Sequence, residues 1–459
     1  MKLNKNSIGL IGALLILSTA VLLPDHIGLG VIPNRTLGIL LAFLCLLITE
    51  ALPIIIISLL ICALMPVLKV TDQLKTSFIG FSEPVIFFVV ASFGIAAALT
   101  VIPVAQRILR KLLKLFGKNI ENVVLALMIA CALMSSVISN IPTCAIFMAI
   151  AIKFLDIYEN EEDKRKTGRA LMIAIPVSSM IGGMMTPAGS SINILAMAQL
   201  EKYTGLTITF VEWMKFGVPI ACIMIPISWF IFVKIYRPSQ VSEESIKQFI
   251  YHLDIPDKMD VREYIVLIIV GGMLVLWILS SWIHDINIIV VAIIGCSLLF
   301  LPGINILDAK TFVRENSWDA FFLVGALTSV CHMLFENGII QSITNSIPPL
   351  TSSIVVLSGI CAVFIFGLLL IIPVATALVP LVIPIFITIA IGSGVSPIAV
   401  TITASLCACN CYLFPLDTVP LLTYSKGYYS MIDMAKATWL LQVIMVILCM
   451  VWLPLAIMI

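Results

Sequence analysis

A chain of 459 residues that is 61% hydrophobic and 11% charged, with a mean hydropathy of +1.16, lies far from the roughly quarter-charged composition of a soluble domain. A formal charge of +1 gives no footing to a nucleic-acid interface, and the four histidines, at 26, 252, 284 and 332, lack zinc-ligand spacing. The pattern is that of an all-α polytopic membrane protein and not of an enzyme.

In chain order, residues 1–6 carry Lys2 and Lys5 and lead into "SIGLIGALLILSTAVLL". This imitates a secretory signal, but no small-x-small cleavage site follows and many more apolar segments do, so it is expected to be the first transmembrane helix, within an N-terminal segment 1–35. Taking about 20 apolar residues per span, eleven spans are expected, near 8–23, 36–50, 53–68, 84–103, 169–200, 212–234, 263–283, 286–302, 318–336, 396–423 and 434–457. Two further apolar stretches, 122–152 and 353–390, are too long for one span and carry small, polar or Pro residues at their middles, "SSVISNIPTCA" and "LLLIIPVATAL". Both are expected to be re-entrant hairpins, whose turns at depth are tolerable only inside protein or beside a watery cavity.

Charge supports one orientation. With the N-terminus inside, the cytoplasmic segments collect the Lys and Arg residues, and only Arg35, Lys69, Lys75, Lys202 and Lys215 fall outside. The C-terminus is then outside, and the membrane is expected to be the plasma membrane. Residues 36–234 and 263–459, joined by a cytoplasmic linker 235–262, each hold five spans and one hairpin in the same order, and "FSEPVIFFVVASFGIAAAL" resembles "NSWDAFFLVGALTSVCHML". Five spans is odd, so the second copy is inverted, which is the architecture of secondary transporters with a site at the repeat interface.

Twelve cysteines all lie in apolar stretches, against a disulfide framework. The run "CACNC" at 407–411 has a soft-metal look, but alternate residues of a helix face different ways, and close helix packing explains them better.

Two spans are broken partway, "GGMMTPAGSSINILA" at 182–196 and "YLFPLDTVPLL" at 412–422. A half-helix N-terminus attracts anions, while unwound carbonyls with Ser, Thr or Asn side chains suit sodium, a hard cation. Ser135 and Ser139 stand four apart, as on one helical face, with Asn140 at the turn and Gly189, Ser190 and Asn193 in the facing break. Single Ser and Asn residues in bundles commonly bond between helices; their clustering at two breaks points to a binding site.

These residues bring a family into view. "SNIPTCAI", "GGMMTPAGSSINILA", "ITEALP" at 48–53 and "FPLDTVPLLTYSKGYYSMIDMAKA" at 414–437 resemble the divalent anion/sodium symporters, which move dicarboxylates, citrate or sulfate. The resemblance implies a homodimer in the lipid bilayer, an elevator-type transport domain, sodium as the coupling ion and no organic cofactor. It places Ser135, Asn140 and the Gly189 backbone at a sodium site. Substrate is implied near Ser139, Asn140, Ser190 and Asn193, with Thr376 and Thr418 from the second half. Ile141 replaces the Thr of the first Ser-Asn-Thr signature, and the second signature is absent, "LIIPVATAL" leaving only Thr376 polar. In the last motif Asp417 stands where the family has a small residue, and Leu421 where it has Asn.

Asp417 therefore has three readings: a cap for the half-helix that follows, a coupling group that holds a cation or takes up a proton in place of the second sodium site, or a partner for a positive group on a zwitterionic solute. Coupling is the favoured expectation, because the second site has lost its ligands. The expected function is secondary transport of a small anion, a di- or tricarboxylate or sulfate, driven by sodium with or without protons; an exchanger, a carrier for an amino-acid-like solute and a channel with re-entrant filters are the alternatives.

Overall fold

Capping residues, Gly and Pro cut the apolar sequence into helices, and every regular element among the described residues is helical. A computed structural model of the chain describes residues 5–23, 30–251, 253, 255–256, 258–346 and 351–458. Lys2, His26 and His252 lie outside them. The first half holds α1 (Lys5–Leu22), α2 (Val31–Thr49), α3 (Ile54–Val67), α4 (Leu74–Ser77), α5 (Pro84–Val101), α6 (Val104–Phe116), α7 (Ile120–Ser135), α8 (Asn140–Leu155), α9 (Glu161–Gly183), α10 (Ser191–Thr204) and α11 (Phe210–Tyr236). The linker contributes α12 (Glu243–Tyr251). The second half holds α13 (Val261–Leu279), α14 (Ile288–Leu298), α15 (Ala309–Glu315), α16 (Trp318–Glu336), α17 (Ile339–Ser346), α18 (Ile354–Ile371), α19 (Ala375–Gly392), α20 (Pro397–Cys409), α21 (Thr418–Tyr424) and α22 (Met431–Met458).

The starts are chemically marked. Asn119 and Asn160 accept the first free N–H groups of α7 and α9, and Thr209 with Glu212 and Asp260 with Glu263 form reciprocal boxes at α11 and α13. Gly205, at φ +70°, follows α10 in the left-handed conformation a helix end asks for.

By length and composition, eight helices among the described residues can cross a membrane: α2, α5, α11, α13, α16, α18, α19 and α22. Six of the eleven expected spans are among them and five are not: 8–23, 53–68, 286–302 and 396–423 hold shorter apolar helices, α3 and α14 having 14 and 11 residues, and 169–200 is divided between α9 and α10. The stretch 353–390 becomes α18 and α19, each 18 residues and of spanning length, whereas the limbs of 122–152, α7 and α8, have 16 each.

The described residues gather into two compact units, each drawing on both halves of the chain: 1–90, 195–207 and 317–408 in the first, 91–194, 208–316 and 409–459 in the second. In the first unit α2, α3 and α16 share a core with Phe43, Ile57, Ile61, Met65 and Leu327, all inaccessible or nearly so. Gly80 lies so close to α16 that a Cβ there would overlap the Gly325 carbonyl, and its N–H is taken by Ser329 Oγ at 2.9 Å. Glu83, one residue before α5, pairs with Lys202 at 2.8 Å, and Asp319 occupies the first turn of α16, where a carboxylate favours the helix dipole. Glu50, within the "ITEALP" stretch, is exposed at the end of α2. In the second unit α7 and α8 both pack along α9, α11 runs beside α9 and α22, and Trp213 Nε1 donates to the Met184 carbonyl at 3.0 Å.

Candidate functional site

The first hairpin turns sharply. Helix α7 ends at Ser135, four residues turn, and α8 starts at Asn140 with Ser139 in extended backbone as its cap residue. This corrects the expectation that Ser135 and Ser139 share a helical face: the helical period stops at Ser135, so the count of four crosses a turn. Ser139 is half-buried and its hydroxyl makes no cap bond, leaving it beside the free N–H groups of the 16-residue α8.

The facing break is held by its own side chains. Past Gly183 the chain makes one turn of tighter helix at 187–189, where Thr186 Oγ1 accepts the Gly189 N–H at 3.1 Å and donates to the Ser136 carbonyl of the hairpin at 2.5 Å. Asn193, fully buried, donates both amide hydrogens to the carbonyls of Gly183 and Thr186, at 2.9 and 2.8 Å. Its Oδ1 accepts from Cys409 Sγ at 3.1 Å. Asn193 thus ties α10 to the end of α9 across the unwound segment. Ser190, 5% exposed, accepts the Ile192 N–H at 3.3 Å.

Where hairpin and break meet, oxygens crowd together. The outer atom of the Asn140 amide stands 2.8 Å from Ser135 Oγ, 3.2 Å from the Ser179 carbonyl and 3.3 Å from the Gly189 carbonyl. As an oxygen it can accept from Ser135 but faces two carbonyls; as a nitrogen it shares its two hydrogens among the three, and the surrounding network favours that orientation. Ser179 closes the group: its Oγ donates to the Asn140 carbonyl at 2.9 Å and lies 3.2 Å from Ser135 Oγ. Two glycines permit the approach. A Cβ on Gly183 would run into Asn140 Oδ1, and one on Gly189 would lie 2.6 Å from the Gly183 carbonyl.

The second half contributes differently. Asp417 caps α21, its Oδ1 accepting the Val419 N–H at 3.1 Å. The residue is half-buried, and among the described residues no Lys, Arg or His pairs with it. Helix α21 packs on α8 and α9, with Cys144 Sγ 3.5 Å from the Val419 carbonyl, so Asp417 belongs to the same unit as the first hairpin. Thr418, beside it, is exposed. Thr376, in the first turn of α19, belongs to the other unit.

Thus Ser135, Asn140 and Gly189 come together, Ser190 and Asn193 lie in the adjoining break, and Thr376 belongs to the other unit. Three residues at the site had not been singled out: Ser179, Thr186 and Asn410, whose Nδ2 meets Met184 Sδ at 3.1 Å and whose carbonyl accepts from Gln442 at 2.6 Å. Ser179 had a signal, one of two adjacent serines in an apolar stretch four residues before Gly183; its carbonyl, which faces the Asn140 amide, had none.

Eight helices long and apolar enough to cross a membrane, with uncharged oxygens converging on an interruption in the buried helices beside them, define a multi-pass membrane transporter. The model described as the sodium:sulfate symporter transmembrane region matches residues 4–458, and the chain belongs to that family. Curated relatives include an uncharacterized transporter of Haemophilus influenzae, 25% identical over 433 residues with 90% of each chain covered. A sodium-dependent dicarboxylate transporter, SdcS, of Staphylococcus aureus is 25% identical over 431 residues, covering 87% of this chain and 81% of the relative. Among solved structures, the YdaH transporter of Alcanivorax borkumensis superposes with a TM-score of 0.57 over 83% of this chain and 86% of that one, at 13% identity, a likeness of fold alone.

Proposed function

We propose that the protein is a secondary active transporter that carries a small anion, a di- or tricarboxylate with sulfate as the alternative, into the cell with sodium. The observation that carries the reading is the oxygen group around Asn140. Ser135 Oγ and the carbonyls of Ser179 and Gly189 bring three uncharged oxygens to one point, and the Asn140 amide turned with its oxygen inward adds a fourth, the donor set a hard monovalent cation prefers. These residues fit sodium, which here is cargo: turned with its nitrogen inward the amide shares its two hydrogens among the three acceptors, and turned with its oxygen inward it completes a cation's ligands.

The anion's place follows from the same geometry. Helix α8 begins at Asn140 with free N–H groups and a positive dipole end, Ser139 supplies a hydroxyl at its cap, and Ser190 supplies one in the break next to Gly189. Cation and anion thereby share one residue, Asn140, which couples their binding. Asn193 and Thr186 act as positioning residues, since their hydrogen bonds are spent on the break. Asp417 is the second coupling group beside its role as cap, and Thr376 and Thr418 are the second half's substrate hydroxyls. The chain works as a homodimer in the plasma membrane, with an inverted repeat, re-entrant hairpins, the N-terminus cytoplasmic, the C-terminus outside, and an elevator movement.

The test is uptake of radiolabelled succinate, citrate and sulfate into proteoliposomes under an inward sodium gradient. Wild type is expected to concentrate one of these solutes, with counterflow on adding unlabelled solute, and Asn140→Ala is expected to lose the sodium dependence. Equal uptake with sodium or potassium outside by the wild type would sink the sodium assignment.

A further inference from the structure

Helix α6 is built unlike the spans. Its sequence VAQRILRKLLKLF buries Ala105, Leu109 and Leu113 at four-residue spacing, while Arg107, Arg110, Lys111 and Lys114 occupy the other faces, followed by Lys118. Such a basic amphipathic helix directly after a span lies at headgroup level. Chain connectivity agrees: α5 ends at Val101, three residues before α6, and the bidentate pair of Arg107 with Glu263, at 2.6 and 3.0 Å, ties α6 to the first turn of α13.

Between α6 and α12 lies a cavity of about 770 Å³. Its described lining carries Arg110, Lys114, Lys118 and Lys247 against one carboxylate, Glu243. That carboxylate is engaged with Lys247 at 3.0 Å, and Arg110 reaches the Ile255 carbonyl at 3.5 Å. Lys114 and Lys118 are exposed and have no carboxylate partner among the described residues. Asp254 and Asp257, further acids of the linker sequence, lie outside the described residues. The surroundings are also apolar: Ile250, Ile255 and Pro256 line the cavity, Leu115 on α6 is 75% exposed, and Tyr251, at the end of α12, is 85% exposed. A soluble anion needs the cations and has no use for exposed Leu and Tyr; a lipid uses both, its phosphate on the lysines and its acyl chains on the apolar surface.

We propose that this cavity binds the headgroup of an anionic phospholipid, with the phosphate held by Lys114 and Lys118 and the acyl chains lying over Leu115 and Tyr251. The site stands at the ends of two spans, α5 and α13, where the chain crosses from apolar to polar surroundings. It uses none of the residues around Asn140.

Native mass spectrometry of the full chain in detergent, titrated with phosphatidylglycerol or phosphatidylcholine, tests this. Wild type is expected to retain phosphatidylglycerol in preference to phosphatidylcholine. The double variant Lys114→Gln/Lys118→Gln is expected to bind phosphatidylglycerol about tenfold or more weakly, while Lys310→Gln/Lys426→Gln, the same charge change on exposed lysines elsewhere, binds as wild type does. An unshifted melting temperature shows the variant to be folded. Three results would overturn the proposal: equal retention by all three proteins, equal retention of the two lipids by wild type, or displacement of phosphatidylglycerol by equimolar inorganic phosphate, which would make the ligand a free anion.

Discussion

The two helix hairpins share a backbone plan and differ in chemistry. The first turns through residues 136–139 onto Asn140, with Ser135, Ser136 and Asn140 buried and each hydrogen-bonded. The second turns through Ile372, Pro373 and Val374, no side chain caps α19, and Thr376 is the hydroxyl left in its first turn. Prolines mark both: Pro142 in the first turn of α8, and Pro373 before α19 with Pro380 and Pro384 inside it. The first hairpin brings oxygen donors to a common point and the second has one hydroxyl in its first turn, a difference that paired substitutions can break or sharpen.

The largest effect is expected from a single methyl group. Gly183→Ala drives a Cβ into the Asn140 amide, so that buried side chain must leave its place in the oxygen group. Overpacking of this kind costs about 1–3 kcal/mol. Uptake is expected to fall to background, with a lower melting temperature. Gly367→Ala, in α18 of the second hairpin, meets nothing within 4 Å and should keep both within error of wild type. Equal loss in the two variants would mean that glycine flexibility, not space at Asn140, is what the site requires.

Next comes the oxygen group itself. Asn140→Ala removes the atom that stands within 3.3 Å of three oxygens, and at least a tenfold loss of sodium-driven uptake is expected. Thr376→Ala should change uptake less than threefold and leave the sodium dependence intact, as measured by initial rates over a sodium titration. A flat sodium response in Thr376→Ala alone would move the cation chemistry to the second hairpin.

Asp417 separates two roles in one residue. Asn caps nearly as well as Asp, so Asp417→Asn should keep α21 and its stability, while Asp417→Ala should lose about 1 kcal/mol of capping. If the carboxylate also couples transport, Asp417→Asn changes the dependence of uptake on sodium or on pH although the protein melts as wild type does. Unchanged profiles would leave the cap as its whole function.

Much of the fold was legible because the interruptions are chemical: two Gly and a Pro-Ala-Gly turn at 182–189, and a Pro on each side of Asp417. Span lengths were less so. An apolar run such as 353–390 has no residue that states whether each limb crosses or only enters, and its limbs prove to be 18 residues each. At the candidate site, side-chain oxygens could be read from composition, but the carbonyls of Ser179 and Gly189 could not, since every residue has one and only the folded break aims them. The same holds for Asn193. Its type suits a ligand, yet its amide goes to two carbonyls that exist as acceptors only once α9 has unwound.

The smallest effect tests the comparison most finely, because it concerns one hydroxyl in the first limb of each hairpin. Ser135 Oγ has two partners, the Asn140 amide at 2.8 Å and Ser179 Oγ at 3.2 Å; Ser358 Oγ in α18 is equally buried and finds none among the described residues. Removing a satisfied hydroxyl leaves its partners short, whereas removing an unsatisfied one relieves a desolvation cost. Ser135→Ala should therefore lose about 1 kcal/mol of stability and weaken apparent sodium affinity, and Ser358→Ala should be neutral or raise the melting temperature slightly with transport unchanged. A thermal melt with and without sodium reads both. If Ser358→Ala instead loses a sodium-dependent stabilisation that Ser135→Ala retains, the hydroxyl of the second hairpin is the one with a ligand to serve, and the contrast between the hairpins is reversed.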